Sequence, residues 1–422
     1  MNATAAAPTV PTYAEALRFW WRLGWISFGG PAGQIAIMQA ELVDRRGWIG
    51  QQRFLTGLNF CMLLPGPEAQ QLATYLGWRL HGVRGGIAAG VLFILPSSLI
   101  LWALSYAYVS WGSLPQVAGA LEGVKAAVIG LILHALWRIG RRVLRSAALF
   151  ALALLAFIAL GSDRVPFPAL VAAAAAAGWL VGRILPGQLP QAHSPSASGP
   201  DHGASAASRP AQLAALAFLG LWLGVVALVV ASCGSGSTLG RMAVFFSQAA
   251  LVTFGGAYAV LPYVATHAVS EFGWLDQGQM LVGMGLAEST PGPLIMVLEY
   301  VGFVGAWQNP DGLPPLLSAT LGAAITVVVT FLPSFVFVFA GAPHLDRIVR
   351  WAPARNAMTA ISAAVMGVIA HLAWWFGRET LQADGNWNAR LCALALFLLL
   401  LAWRGWSAPL IVLLGALAGL AL

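Results

Sequence analysis

The chain has 422 residues, of which 59% are hydrophobic and only 9% are charged. This composition excludes a water-soluble globule and predicts a protein that lies in a lipid bilayer. The net charge of +7 does not indicate nucleic-acid binding, because the arginines stand singly at the ends of apolar segments, as membrane topology requires.

About thirteen apolar segments approach the roughly 20 residues that a membrane-spanning helix needs. They centre near residues 13–38, 54–80, 86–109, 117–137, 147–161, 166–185, 211–232, 242–266, 279–306, 316–342, 356–376, 389–403 and 406–421. We therefore expect an all-α polytopic membrane protein. We expect no cleaved signal peptide, since the first twelve residues lack a basic region. The three cysteines have no metal-ligand or paired spacing, so neither a metal site nor a cofactor is predicted.

Two motifs interrupt the first apolar segments, namely Phe28-Gly29-Gly30 and Pro65-Gly66-Pro67. Proline breaks a helix, and non-helical backbone is tolerated at membrane depth only where it is buried or lines a cavity. Each break also begins a new half-helix, whose free N–H groups and positive dipole end attract an anion. The first half therefore predicts a cavity that holds a small oxyanion. The competing interpretation is that the prolines only kink packed helices and the glycines only permit close packing.

A stretch at 186–210 differs from the rest because it is rich in Pro, Ser, Ala and Gly. This composition is typical of a flexible linker. We therefore predict a first transporter domain at 1–185 and a second at 211–422. In the second domain a linking helix at 211–232 precedes a repeat that begins at 241.

The second half repeats the motifs of the first. Phe254-Gly255-Gly256 and Pro291-Gly292-Pro293 each lie 226 positions after their first copies, whereas the stretch at 126–141 recurs 237 positions later, at 363–378. Eleven extra residues therefore separate the two registers, and we place them within the polar stretch 308–315. Carriers often bind substrate between two such halves, on helices broken near the middle of the bilayer.

Loop charges predict that the two halves are inverted. Arg45, Arg46 and Arg84 mark first-half loops as cytoplasmic, whereas the corresponding second-half loops carry Glu271 and Asp276 and no basic residue. Further along, the pattern reverses. Inversion requires an odd number of membrane crossings between the two copies. A chain with thirteen full spans in total meets this requirement. A chain with nine spans also meets it, if the Phe-Gly-Gly and Pro-Gly-Pro segments are re-entrant hairpins, and we favour this second count.

Several polar residues near the breaks are candidates for contact with a substrate. The candidates are Gly29, Gly30, Pro31, Gln34, Pro65, Gly66, Pro67, Glu68, Gln70, Gln71, Lys125, Gly255, Gly256, Tyr258, Pro291, Gly292 and Pro293. Ionisable residues in apolar segments are functional candidates by default. Lys125 could attract an anion or pair with Glu122, three residues earlier. The carboxyls of Glu68, Glu288 and Glu299 are candidates for proton coupling, although each could instead bond to broken backbone.

The stretch from Phe28 to Gly50, with the Pro-Gly-Pro segment and Leu95-Pro96-Ser97 that follow, resembles the chromate ion transporter family in its long, two-domain form. The second half is similar in its shorter motifs. The resemblance implies a bacterial inner-membrane carrier, not an enzyme, that exports chromate and confers chromate resistance. Sulfate is the expected analogue. The motif residues that carry over are Phe28, Gly29, Gly30, Pro31, Gln34, Pro65, Gly66, Pro67, Glu68, Gln70, Gln71, Gly255, Gly256, Tyr258, Glu288, Pro291, Gly292 and Pro293.

We expect alternating access, in which one half rocks against the other around the broken segments. Other functions stay open at this point. They include a carrier of sulfate or another oxyanion, an anion channel with similar broken helices, and a membrane-embedded chromate reductase, for which the sequence holds no haem, flavin or metal motif. The expected partners are chromate or sulfate and membrane lipid, without nucleic acid. A homodimer is compatible with the sequence but unnecessary.

Overall fold

The computed structural model describes residues 11–162, 165–184, 208–254, 256–383 and 386–421. Within these ranges the chain is almost entirely helical, and its only β-structure is a ladder between β1 (Gln382–Ala383) and β2 (Asn386–Trp387). Six helical stretches there are long and apolar enough to cross a membrane. The protein is therefore an all-α, multi-pass membrane protein, as predicted.

The first half contains seven helices among the described residues. They are α1 (Tyr13–Ile26), α2 (Gly30–Gln39), α3 (Gln51–Cys61), α4 (Glu68–Trp111), α5 (Pro115–Val143), α6 (Ala147–Gly161) and α7 (Phe167–Ile184). Of the predicted linker at 186–210, residues 186–207 lie outside the described ranges, and α8 (Ser208–Cys233) begins within it.

The second half repeats this order. Its helices are α9 (Thr238–Val252), α10 (Ala257–Thr266), α11 (Gln277–Ser289), α12 (Val297–Gln308), α13 (Pro315–Gly341), α14 (Leu345–Arg350), α15 (Ala352–Leu381), α16 (Ala389–Trp403) and α17 (Ala408–Gly419). Residues 309–314 join α12 to α13, within the region where the sequence predicts the insertion.

The repeat extends to single backbone hydrogen bonds. A π-helical turn follows α2 at Ala40–Arg45 and follows α10 at His267–Glu271. In both copies the residue after the turn bonds back to it, Arg46 to Glu41 at 3.1 Å and Phe272 to His267 at 2.8 Å. The next residue is a glycine with φ of 61° in each half, a left-handed conformation that glycine adopts without steric cost. The motif segments therefore fold alike.

Both Phe-Gly-Gly segments are helical hairpins. Phe245, in α9, has its ring 5.3 Å from that of Tyr263, in α10. An unbroken helix would separate these positions by about 27 Å, at 1.5 Å per residue. In the first half Phe19 meets Trp48 at 5.7 Å, beyond the far end of α2. In each case the chain folds back at the Phe-Gly-Gly motif.

The Pro-Gly-Pro segments fold back in the same way. The rings of Phe60 and Tyr75 lie 6.1 Å apart, although fifteen positions and the motif separate them. In the second copy Gly283, in α11, faces the ring of Tyr300, in α12. Four hairpins with the motifs at their tips are the geometry of the nine-span alternative.

Helix α4 consists of two antiparallel arms, 68–80 and 83–111. The arms meet at His81 and Gly82, which leave helical geometry, so that Gly77 faces Gly85 and Ala89 across the turn. The second arm crosses the protein. In the second half the loop at 309–314 replaces this tight turn, and α13 replaces the second arm.

The equivalent crossing helices run antiparallel. A Cβ at Gly86 would lie 2.9 Å from Phe339, and one at Gly90 would lie 2.7 Å from Phe335. Residue numbers along α4 rise from Gly86 to Gly90, while those of the contacted phenylalanines in α13 fall from 339 to 335. Helix α13 therefore runs antiparallel to its repeat mate, the second arm of α4. The halves are thus related by inversion, in agreement with the loop charges.

Each half also packs its last two helices on the other half. Helices α6 and α7 lie against α15, whereas α16 and α17 lie against α5. Gly130 in α5 approaches Ala395 of α16, and its repeat mate Gly367 in α15 approaches Ala153 of α6. Small residues allow such close approach between helices in lipid. This exchange places α5 and α15 on either side of the hairpin tips.

Candidate functional site

The hairpin tips of the two halves meet in reciprocal pairs. The N–H of Gly66, in the first Pro-Gly-Pro motif, donates to the carbonyl of Thr253 at 2.7 Å, just before the second Phe-Gly-Gly motif. The N–H of Gly292 donates to Ser27 at 2.8 Å, just before the first Phe-Gly-Gly motif. Both donors and both acceptors are repeat mates. Each Pro-Gly-Pro tip therefore rests on the Phe-Gly-Gly tip of the opposite half.

Three buried glutamines lie at or beside these tips, and two of them bond to tip backbone. The side-chain amide of Gln34 donates to the carbonyls of Gly292 at 2.5 Å and Ser27 at 3.3 Å. The amide of Gln71 donates to Pro65 at 2.6 Å, and that of Gln70 donates to Thr74 at 3.1 Å. The sequence predicts that these glutamines contact a substrate. In the structure their side-chain N–H groups donate to backbone and side-chain oxygens of the protein. Gln34 and Gln71 therefore support the tips from within the protein.

The helices that start at the tips have no side-chain cap. Helices α2, α4 and α10 and the 3-10 turn Leu294–Met296 all begin without an N-cap hydrogen bond. Of the four helices that begin at hairpin bases, α1, α9 and α11 are capped by Thr12, Ser237 and Asp276, whereas α3 follows Gly50 without a side-chain cap. Uncapped N–H groups at a helix start are donors for a bound anion.

A cavity of about 240 Å³, hereafter the tip cavity, lies against three of the four tips. Its lining comprises Pro31, Ala32, Met62, Glu68, Arg138, Ile139, Arg142, Val143, Gly256, Tyr258, Ser362 and Met366. Pro31 and Gly256 belong to the starts of α2 and α10, and Glu68 begins α4. A Cβ at Gly256 would lie only 3.5 Å from the Glu68 carboxylate. Glu68, directly after the first Pro-Gly-Pro motif, therefore faces the Phe-Gly-Gly motif of the second half.

Charge in the tip cavity comes from three side chains. Glu68 is the one carboxylate of the lining, and Arg138 and Arg142 from the end of α5 supply two guanidinium groups. The charge of Arg138 also acts on Tyr258 and Glu288, and the Tyr258 hydroxyl donates to the Glu288 carboxylate. Glu68 and Tyr258 therefore line the same cavity, and Glu288 lies behind Tyr258, to which it is hydrogen-bonded.

The sequence interpretation missed the two arginines. Neither Arg138 nor Arg142 is among its candidates for contact with the substrate. One turn of helix separates them, so they share a face of α5, and this spacing was a usable signal. What the sequence could not provide was the position of α5 next to the hairpin tips.

It also missed a pair of buried serines. Ser97 and Ser334 are repeat mates, 0% and 1% exposed, and neither hydroxyl has a hydrogen-bond partner. A Cβ on Gly292 would lie 2.8 Å from the Ser97 hydroxyl, and one on Gly66 would lie 2.8 Å from that of Ser334. Each Pro-Gly-Pro tip therefore has an unpaired hydroxyl directly beside it.

Lys125 lies away from the tips. Its ammonium forms a 2.6 Å ion pair with Glu122 at the other end of α5, in a second cavity of about 1090 Å³, hereafter the distal cavity. Glu299 is buried against α4, where Ser98 donates to its carboxylate at 2.9 Å and the second carboxylate oxygen has no partner. The structure therefore does not bring Lys125 or Glu299 into the tip cavity.

The remaining predicted residues lie at the tips themselves. Gly29 and Gly30 have φ of 90° and 67°, and Pro67 and Pro293 precede the new helices. Pro291 lies one position before Gly292, and Gly255 lies outside the described residues. Within the described ranges no three His, Cys, Asp or Glu side chains come close enough together to hold a metal ion.

Comparison with known proteins identifies the relationship. The model of the chromate transporter family matches residues 14–179 and 240–420, one stretch in each half. The chain is 33% identical to the chromate transport protein of Pseudomonas aeruginosa over 370 residues, which cover 87% of this chain and 81% of that one.

Two further relatives match almost throughout. The chromate transport protein of Cupriavidus metallidurans is 29% identical over 99% of this chain and 96% of its own, and the probable chromate transport protein of Synechococcus elongatus is 28% identical over 97% and 96%. No solved structure matches the chain significantly. With both halves matched by the family model, the chain belongs to the chromate transporter family.

Proposed function

We propose that the protein carries chromate out of the bacterial cell across the inner membrane and thereby confers chromate resistance. The observation that carries this proposal is the tip cavity, where uncapped helix starts from both halves face two arginines. Backbone N–H groups and guanidinium groups are the donors that a tetrahedral dianion requires. The names of the relatives support chromate as the substrate.

Alternating access follows from the symmetry of the halves. The tip cavity lies at the end of α5 that carries Arg138 and Arg142, and the distal cavity lies at the end that carries Lys125. Only the tip cavity is lined by motif residues of the hairpins. In this proposal the substrate reaches the tip residues from the arginine-rich, cytoplasmic side, and rocking of the halves exposes them to the other side.

The driving force follows from charge. Moving a dianion out of a cell with a negative interior releases about 2.3 kcal/mol per charge per 100 mV, so the membrane potential alone can support export. Proton coupling would need a carboxyl group near the substrate. Glu68 is the first candidate because it lines the tip cavity, followed by Glu288 through Tyr258. Glu299 is more remote.

Chromate flux in proteoliposomes tests the proposal. The purified protein should give saturable flux that an imposed membrane potential or pH gradient changes, and excess sulfate should compete if it is an analogue. A sulfate carrier would prefer sulfate in the same assay. An anion channel would give flux that does not saturate and that far exceeds the turnover of a carrier, and either result would contradict the proposal.

A further inference from the structure

The two cavities occupy repeat-related places. Both are lined by α5 and α15, but from opposite ends of these helices. Ser362 lines the tip cavity, and its mate Lys125 lines the distal cavity. Arg142 lines the tip cavity, and its mate Glu379 lines the distal cavity; each pair is 237 positions apart. Inversion of the halves thus generates one mouth on each side of the tips.

Charge is reversed at one of these pairs, since Arg142 is a cation and its mate Glu379 is an anion. Beside Arg142 in the tip cavity stands Arg138, whose mate Trp375 is uncharged. Within the described residues, neither arginine forms a hydrogen bond or a salt bridge, although the charge of Arg138 acts on Glu288. Arg142 is exposed, so its guanidinium reaches the mouth of the cavity. Two unpaired cations therefore lie between solvent and the hairpin tips.

The distal cavity offers an anion much less. Lys125 is occupied by Glu122 at 2.6 Å. Asp276 and Glu379 add negative charge, and Arg390 is the one other basic residue of that lining. The tip cavity holds two arginines against one carboxylate, Glu68, so its lining has an excess of positive charge. An excess of one sign raises the local concentration of the opposite ion and its rate of entry. A dianion should thus enter the tip cavity readily and the distal cavity poorly.

We propose that Arg138 and Arg142 form an anion-recruiting site at the mouth of the tip cavity, and that the exchange of Arg142 for Glu379 between the halves gives the carrier a lower KM on the tip-cavity side. This inference rests on the proposed oxyanion transport. It assigns the arginines to substrate capture, in addition to any part they have in topology.

The test is the KM for chromate measured separately from each face in oriented proteoliposomes. Arg142→Gln should raise the KM on the tip-cavity side by about tenfold, in the range by which steering changes association, and leave kcat within about twofold. The KM on the distal side should not change. High salt should shrink the difference from the wild type, because exposed charges are screened beyond about 3 Å at 1 M ionic strength.

Arg141→Gln is the matched control. It removes the same charge from the same turn of α5, but the Arg141 guanidinium lies over the Trp137 ring at 4.9 Å and does not line the cavity. Its KM should stay within about twofold of the wild type. The double variant Arg142→Glu with Glu379→Arg should reverse the preference and give the lower KM on the distal side.

Equal changes of KM in Arg142→Gln and Arg141→Gln would overturn the inference, since surface charge alone would then explain them. A change confined to kcat would also overturn it. Both results presuppose an active wild-type carrier. A wild-type protein without saturable chromate flux would instead refute the proposed function.

Discussion

In the first Pro-Gly-Pro hairpin a regular helix begins at Glu68, whereas in the second a 3-10 turn, Leu294–Met296, precedes α12. A 3-10 helix rises about 2.0 Å per residue and an α-helix 1.5 Å, so three residues of one span the same roughly 6 Å as four of the other. In each hairpin a glycine of the first helix faces a tyrosine of the second, and the second hairpin makes this contact with one residue fewer between the two. Gly57 and Gly283 are 226 positions apart, but their partners Tyr75 and Tyr300 are 225 apart.

Side chains at these two helix starts differ completely. The first copy places Glu68, Gln70 and Gln71 directly after the break, and the second places Leu294 and the apolar residues that follow it there. Glycine and proline are retained in both copies. Both tips thus have the same left-handed glycine backbone, whereas only the first is followed directly by polar side chains.

Alanine at either tip glycine should have the largest effect, and it should be equal in the two halves. Gly66 and Gly292 have φ of 119° and 101°, which strains any other residue. A Cβ would also lie 2.7 Å from the Gln71 amide in one copy and 2.5 Å from Ser97 in the other. We expect chromate flux to fall by about a hundredfold in Gly66→Ala and in Gly292→Ala, from strain and overlap together.

Gly220→Ala is the control, since a Cβ there meets nothing within 4 Å and α8 should keep its geometry. Thermal stability of the detergent-purified variants separates loss of folding from loss of transport. If only one of the two tip variants lost activity, the hairpins would not be equivalent.

Glu68→Gln should show the chemical difference between the copies. Glu68 is the one carboxylate that lines the tip cavity, and its amide replacement cannot exchange a proton. We expect the flux driven by a pH gradient to fall about tenfold, while flux driven by membrane potential persists. Leu294→Met, a volume-conserving change at the mate, should leave both fluxes near the wild type. Full pH-driven flux in Glu68→Gln would remove this residue as the coupling group.

Much of the fold follows from the sequence because its determinants are local. Apolar length predicts the helices, and the recurrence of Phe-Gly-Gly and Pro-Gly-Pro predicts the repeat and, with the loop arginines, its inversion. The choice between spanning and re-entrant segments was open, because a broken apolar stretch has the same composition in both. Contacts such as Phe245 with Tyr263 decide it, and they depend on packing between segments.

The site was predicted only in part, for the same reason. The tip residues were found because glycine and proline have a meaning within their own segment. Arg138, Arg142, Ser97 and Ser334 were missed because their positions beside the tips depend on how distant helices pack. Lys125 was chosen as an ionisable residue in an apolar segment, and its distance from the tips follows from its place toward the opposite end of α5.

Removal of the serine hydroxyls should have a moderate and symmetric effect. Ser97 and Ser334 each present an unpaired hydroxyl at a Pro-Gly-Pro tip, and a hydrogen bond contributes about 1 kcal/mol, which corresponds to about fivefold. We expect Ser97→Ala and Ser334→Ala each to raise the KM for chromate about fivefold. Ser105→Ala is the matched control, because the Ser105 hydroxyl already bonds to Leu101 at 2.7 Å within its own helix. An unchanged KM in both tip variants would show that these hydroxyls do not face the substrate.

Lys125→Gln should have the smallest effect and also sharpens the contrast between the two cavities. The Glu122–Lys125 pair is partly exposed, with side chains 48% and 20% accessible, and such pairs contribute about 0–1 kcal/mol. If Lys125 bound substrate at the tips, its loss would raise the KM on the tip-cavity side. Because it lies in the distal cavity, we expect that KM to stay within about twofold, while the already weak entry from the distal side becomes weaker still. Glu122→Gln, which frees the ammonium, should shift distal entry in the opposite direction, and the same oriented flux assay compares the two variants directly.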